Sequence, residues 1–235
     1  MNKLIAIHQP NFLPWLGYFH KILQVDQFVF LDDVKYSASG GMYPRRTRIN
    51  SKHGPKWLAA PVKNLKDSNQ KMINTLELES AENLARVIGS ALKSNYEDYP
   101  HFREVNDFIM DLAGSAEENL SKFNIRVIEQ TANLLIEKPA EFKLSSELGV
   151  SSTGTERLLE IAEKLEASDY LSGSGSSGYL VNSEFSRRGI GLRFQEHPTY
   201  AYPQRETDEF VKGLSILDPL MNLGFSGTKE ILNQC

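Results

Sequence analysis

The first residues able to do chemistry come early. Residues 8–18, HQPNFLPWLGY, place an imidazole, two amides and three aromatic rings in one short segment. His8 titrates near neutrality, so it suits general acid or base work or a phosphate contact. Gln9 and Asn11 supply neutral donors and acceptors, and Trp15 and Tyr18 offer ring faces for stacking. Asp32-Asp33 is a second candidate, able to orient a histidine, bind a ribose or hold a divalent ion. The adjacent pair lacks the further ligands of a metal site, so no metal is assigned. A third candidate is Arg46 with Arg48, two apart and on one face of a strand, a fork suited to phosphate or carboxylate. The fourth is the run 172–178, SGSGSSG, with Tyr179 after it. Its backbone N–H groups can approach an anion, and Ser172, Ser174 and Tyr179 add hydroxyls.

The elements that must position these groups follow from periodicity. Leu4 to Ile7 is a short apolar run, read as a strand buried on both faces. Pro10 and Pro14 stop regular pairing beyond it. Leu16, Phe19, Ile22 and Leu23 restore helical spacing, and QFVFL at 27–31 is a second strand. This is a βαβ unit, which places His8 and the aspartates on the carboxyl edge of parallel strands. Residues 43–61 read as two strands around a turn at 51–55, and Leu76 to Leu78 as a further strand. Residues 80–136 read as a helical insertion of three helices, the third opened by a Ser115–Glu118 capping box. Strand, helix, strand then resumes, with strands near 142–144, 169–171 and 191–195, and helices near 153–165 and 182–188. The expected fold is a single α/β domain over 1–235, a mostly parallel sheet flanked by helices, with a β-hairpin and the helical insertion.

Composition narrows the function. Lysine and arginine number 26 against 30 aspartates and glutamates, which argues against general nucleic-acid binding. The one cysteine is Cys235, so neither an intrachain disulfide nor a multi-cysteine zinc site can form. The first apolar run is too short for a signal sequence, and none reaches the ~18 residues of a membrane helix, so no membrane insertion and a cytoplasmic location are expected.

The motifs also form a recognisable set. HQPNFLPWLGYFHKI, FVFLDDV, RTRI, GPKWLAAPV, YLSG, FSRRGI, YPQ and LSILDPLMNLG together resemble the WbqC-like family across nearly the whole chain. Membership implies a role in bacterial O-antigen, lipopolysaccharide or other surface-glycan biosynthesis. It implies a transferase that moves an acyl or aminoacyl group to a nucleotide-linked amino sugar. Such an enzyme takes a nucleotide-linked sugar and an acyl or aminoacyl carrier as partners, with no cofactor assigned. In this reading His8 is the base, Asp32 or Asp33 orients it, and Arg46 and Arg48 hold the diphosphate. Two alternatives stand beside it. One is a nucleotidyltransferase-like enzyme, since Trp15-Leu16-Gly17-Tyr18 stands where such enzymes carry His-x-Gly-His, here without either histidine. The other is a non-catalytic glycan- or partner-binding module built on Trp15, Trp57 and the tyrosines.

Overall fold

A computed structural model describes residues 2–37, 43–64, 71–173, 182–196, 201–207 and 209–234. Five strands form the main sheet: β1 (Leu4–His8), β2 (Gln27–Phe30), β5 (Glu141–Leu144), β6 (Asp169–Ser172) and β7 (Gly191–Phe194). Their order is β5-β2-β1-β6-β7, and every neighbouring pair is parallel. The chain therefore starts in the middle, moves out to one side through β2, and later returns to the other side through β6. The boundary between β1 and β6 is the switch point at which open α/β sheets leave a crevice beyond the strand ends.

Alternation along the strands divides the core in two. Ala6, Phe28, Phe30 and Leu171 face one side, against α1 (Leu16–Leu23), α4 (Leu120–Leu135) and α7 (Leu217–Asn233). Ile5, Ile7, Val29 and Tyr170 face the other, against α5 (Gly154–Lys164) and α6 (Asn182–Arg187). His8 has the parity of Ala6, which aims it toward the α1 side. The helices α2 (Ala81–Tyr96), α3 (Phe102–Gly114) and α4 occupy the expected insertion, and the antiparallel hairpin of β3 (Arg46–Ile49) and β4 (Lys56–Ala59) precedes them. No helix among the described residues is long and apolar enough to cross a membrane.

Two local expectations are corrected. The strand expected at 76–78 does not form. A 3₁₀ turn covers Ile73–Thr75, and the segment makes only isolated bridges, Leu78 with Val62 and Glu77 with Asn119. Its neighbours lie on opposite sides one residue apart, so no ladder can extend. The capping box on Ser115 is also displaced. Ser115 ends α3, its hydroxyl donating to Asp111 O, while Asn119 caps α4 by accepting the Lys122 N–H at 3.0 Å. Helix α7 is kinked at Gly224, whose φ of +68° only glycine adopts easily; a Cβ there would lie 2.7 Å from the His101 ring.

The candidate functional site

The loop that follows β1 is fastened on three sides. The Leu13 carbonyl, held by a φ of +43°, accepts the hydroxyls of Thr47 at 3.0 Å and Ser215 at 2.7 Å. Phe12 N–H donates to Tyr43 O, Ile216 N–H donates to Pro14 O, and Asn124 donates to the carbonyls of Pro10 and Pro44. The motifs around RTRI and LSILDP thus meet on the segment that carries His8. The two prolines remove donors from this stretch, and neighbouring elements satisfy its carbonyls.

His8 ends β1 under this loop. Its Nδ1 lies 3.1 Å from Gln9 O, which fixes that nitrogen as the donor and leaves Nε2 with a lone pair. The same carbonyl accepts the Tyr18 hydroxyl at 2.9 Å. The rings of Tyr18 and Trp15 stand edge-on to the imidazole, at 4.8 and 5.9 Å between centroids. Burial, reinforced by the positive charge of Lys21, pushes His8 down to about 3, so it is neutral at physiological pH.

Lys21 is the residue that sequence reasoning passed over. Its side chain is only 4% exposed, on a helix whose residues from Leu16 to Ile22 are all buried. Among the described residues its ammonium has neither a hydrogen-bond acceptor nor a carboxylate partner, and burial pulls it down to about 8. It stands at the switch point, close to Gly173 just beyond β6; a Cβ on Gly173 would lie 3.2 Å from Nζ. A signal was present in the sequence. LGYFHKIL offers no polar face, so its one lysine has no route to solvent. Asn11 shares this poverty of partners, since it is 2% exposed and both amide atoms are unpaired among the described residues.

The other candidates fall in different surroundings. Asp32 and Asp33 follow the strand beside His8, as expected, but no hydrogen bond or charge interaction joins either one to His8 among the described residues. Asp32 is buried and accepts Ser146 N–H at 3.0 Å, Ser146 Oγ at 2.8 Å, Ser145 Oγ at 3.1 Å and Asn74 Nδ2 at 3.4 Å. Asp33 pairs with Arg157 at 2.5 Å and also accepts from Ser145. These carboxylates clasp the ends of β2 and β5, with their oxygens already engaged. Arg46 and Arg48 share a face of β3, where the Arg46 guanidinium lies 4.0 Å above the ring of Trp57, cross-strand partner of Arg48. Rings connect this hairpin to the half-buried His8, with Trp15 to Tyr43 at 6.1 Å and Tyr43 to Trp57 at 6.4 Å. Ser172 is buried at the end of β6, its carbonyl accepting the Gln195 N–H at 2.8 Å. Ser174 and Tyr179 lie outside the described residues.

A parallel α/β protein with a neutral histidine and a buried lysine at its switch point is the class that these observations define. The family model for the WbqC-like protein family matches residues 9–230, and the chain belongs to that family. It is also 29% identical over 223 residues to an uncharacterized protein of Mycobacterium tuberculosis, Rv1507c, with 94% of each chain covered. No solved structure matches it.

Proposed function

We propose that this chain is a cytoplasmic transferase of bacterial surface-glycan biosynthesis, which moves an acyl or aminoacyl group from a carrier to the amine of a nucleotide-linked amino sugar. The observation that carries the reading is a neutral His8 close to the charge of Lys21, an ammonium without an acceptor among the described residues, at the β1–β6 switch point. In the reaction the amine nitrogen attacks the acyl carbonyl carbon. The C–N bond forms as the bond from that carbon to the carrier breaks. His8 Nε2 takes the proton from the nitrogen and returns it to the departing carrier group. The aromatic row from Trp15 to Trp57, with Arg46 and Arg48 beside it, gives the nucleotide and its diphosphate a track that ends at the reacting centre.

Substrate charge also bears on the base. Desolvation and the Lys21 charge both penalise the imidazolium, so an anion seated against Lys21 removes the second penalty. Binding of the correct substrate then raises the proton affinity of His8 where the amine must lose its proton. Incubation with nucleotide-linked amino sugars and acyl or aminoacyl donors, followed by mass spectrometry, tests the reading. The expected product is an N-acylated nucleotide sugar, formed by wild type and lost in His8→Gln. Turnover by His8→Gln at the wild-type rate removes His8 from the mechanism.

A further inference from the structure

We propose that Lys21, at the mouth between β1 and β6, is the receptor for a compact oxyanion, a phosphoryl or carboxylate group, which the substrate carries at its reacting end. This deepens the reading above and rests on the crevice being the substrate pocket. A buried ammonium without a counter-charge is unfavourable, because desolvation is repaid only by a close anion and hydrogen-bond acceptors. Two other cations of the chain show what such partners look like. Arg157 meets Asp33, Val150 O and Ser152 O, and Arg188 meets Glu156 and Glu163. Lys21 has none among the described residues while being 4% exposed, which leaves a bound anion as the partner that would offset its desolvation.

The surroundings fit an anion. Gly173 presents no side chain to the ammonium, and a Cβ there would intrude to 3.2 Å from Nζ, into the space beside the charge. His8 adds an uncharged ring with its Nδ1 already committed to Gln9 O, so this neighbour brings no negative charge that would compete for the lysine. The position beyond the carboxyl ends of two parallel strands is where α/β sheets seat anionic ligands. A lysine acts there as a point charge with three donors, which accommodates a phosphoryl or a carboxylate oxygen without the planar fork of an arginine.

Calorimetric titration of the full chain with three probes tests this: inorganic pyrophosphate, sulfate and acetate. Wild type should bind at least one probe, with phosphoryl-like anions preferred if the group is a phosphate and acetate preferred if it is a carboxylate. Lys21→Met should weaken that probe at least tenfold, yet melt at or above the wild-type temperature without anion, because a buried charge has been removed. A structural lysine would give the reverse, a lower melting temperature and unchanged anion affinity, and that pair of results overturns the proposal. If Lys21→Met does not fold, wild type alone decides through sulfate, whose charge is constant across the range used. Its affinity should be flat below pH 8 and then fall about tenfold per pH unit as the ammonium loses its proton. Sulfate affinity unchanged from pH 7 to pH 10, or no binding of any probe by wild type, sinks the site. None of these measurements needs turnover, so a transferase lacking this anion receptor and an anion receptor lacking transferase activity give different results.

Discussion

Replacing Asp218 by asparagine should stabilise the protein at neutral pH and lose that advantage in acid. The carboxylate lies in the first turn of α7, buried among tyrosines; Tyr202 donates to it at 2.8 Å and Tyr96 at 3.3 Å. Burial raises its pKa from 3.8 to about 6, with the two tyrosine hydroxyls opposing part of that rise. Because the folded value lies above the unfolded one, the native state holds the proton more tightly between those pH values. Ionised Asp218 therefore costs stability above pH 6, and the cost disappears as the pH falls below 4. A rise of this size corresponds to about 3 kcal/mol. Asparagine keeps one acceptor for the tyrosines but adds an amide that must find partners, so the net gain should be about 2 kcal/mol. For a chain of this length that is about 4–8 °C in melting temperature. Thermal melts of both proteins across pH 4 to 8 measure it, and the difference between them cancels the titration of all other groups. A variant that melts below wild type by the same margin at pH 4.5 and at pH 7.5 would refute the reasoning. It would show that two oxygens accepting tyrosine bonds matter more than the buried charge.

Asp32→Ala removes the acceptor for both serines after β5 and should destabilise the fold by about 3–5 kcal/mol, read by denaturant melts, as expected for orphaned buried donors. Sulfate or pyrophosphate affinity of the folded variant should stay within a few-fold of wild type, whereas a larger loss would return Asp32 to the active site. In wild-type turnover, kcat/KM should hold between pH 5 and 7, since free His8 titrates only near 3, and should fall above pH 8 as Lys21 is neutralised. A drop centred on pH 6.5 would instead mean a solvated histidine. His8→Gln should lower kcat by roughly 10²–10⁴-fold with less change in KM, the span of lost proton transfer. Arg46→Ala and Arg48→Ala should each weaken nucleotide-sugar binding, with a loss that shrinks at high salt. Unchanged affinity in both would make the hairpin a solvated face.

The parallel sheet was legible because its strands are short apolar runs separated by helical stripes, and the loops after them contain the glycines and prolines that end such runs. The position of His8 followed from the same reasoning, since only one edge of such a sheet receives loops from strand to helix. Long-range hydrogen bonds were not legible. Nothing local distinguishes an Asp pair that orients a histidine from one that clasps Ser145 and Ser146, more than a hundred residues away. Lys21 was legible only in part, since the apolar sequence of α1 hints at its burial but the elements that cover it come from elsewhere in the chain. A lysine on a surface helix normally reaches water along its stem, and the burial of α1 from Leu16 to Ile22 closes that route. The Ser115 capping box failed on a close competition, because Asn119 lies four residues on and is an equally good cap for the next helix.

The row of rings that begins at His8 has an optical consequence. Trp15 and Trp57 are the two tryptophans of the chain, and both stand in that row, one against the imidazole and one under the Arg46 guanidinium. All of the protein's indole emission therefore originates beside the groups assigned to substrate, with none from a distant core residue to dilute it. Trp57 is 44% exposed and Trp15 is largely covered, so the two should differ in emission wavelength and in access to a soluble quencher. The unlabelled chain thus contains a matched pair of reporters, one for the outer end of the track and one for the inner. Ligands that stop at the hairpin and ligands that reach the histidine should leave different spectra.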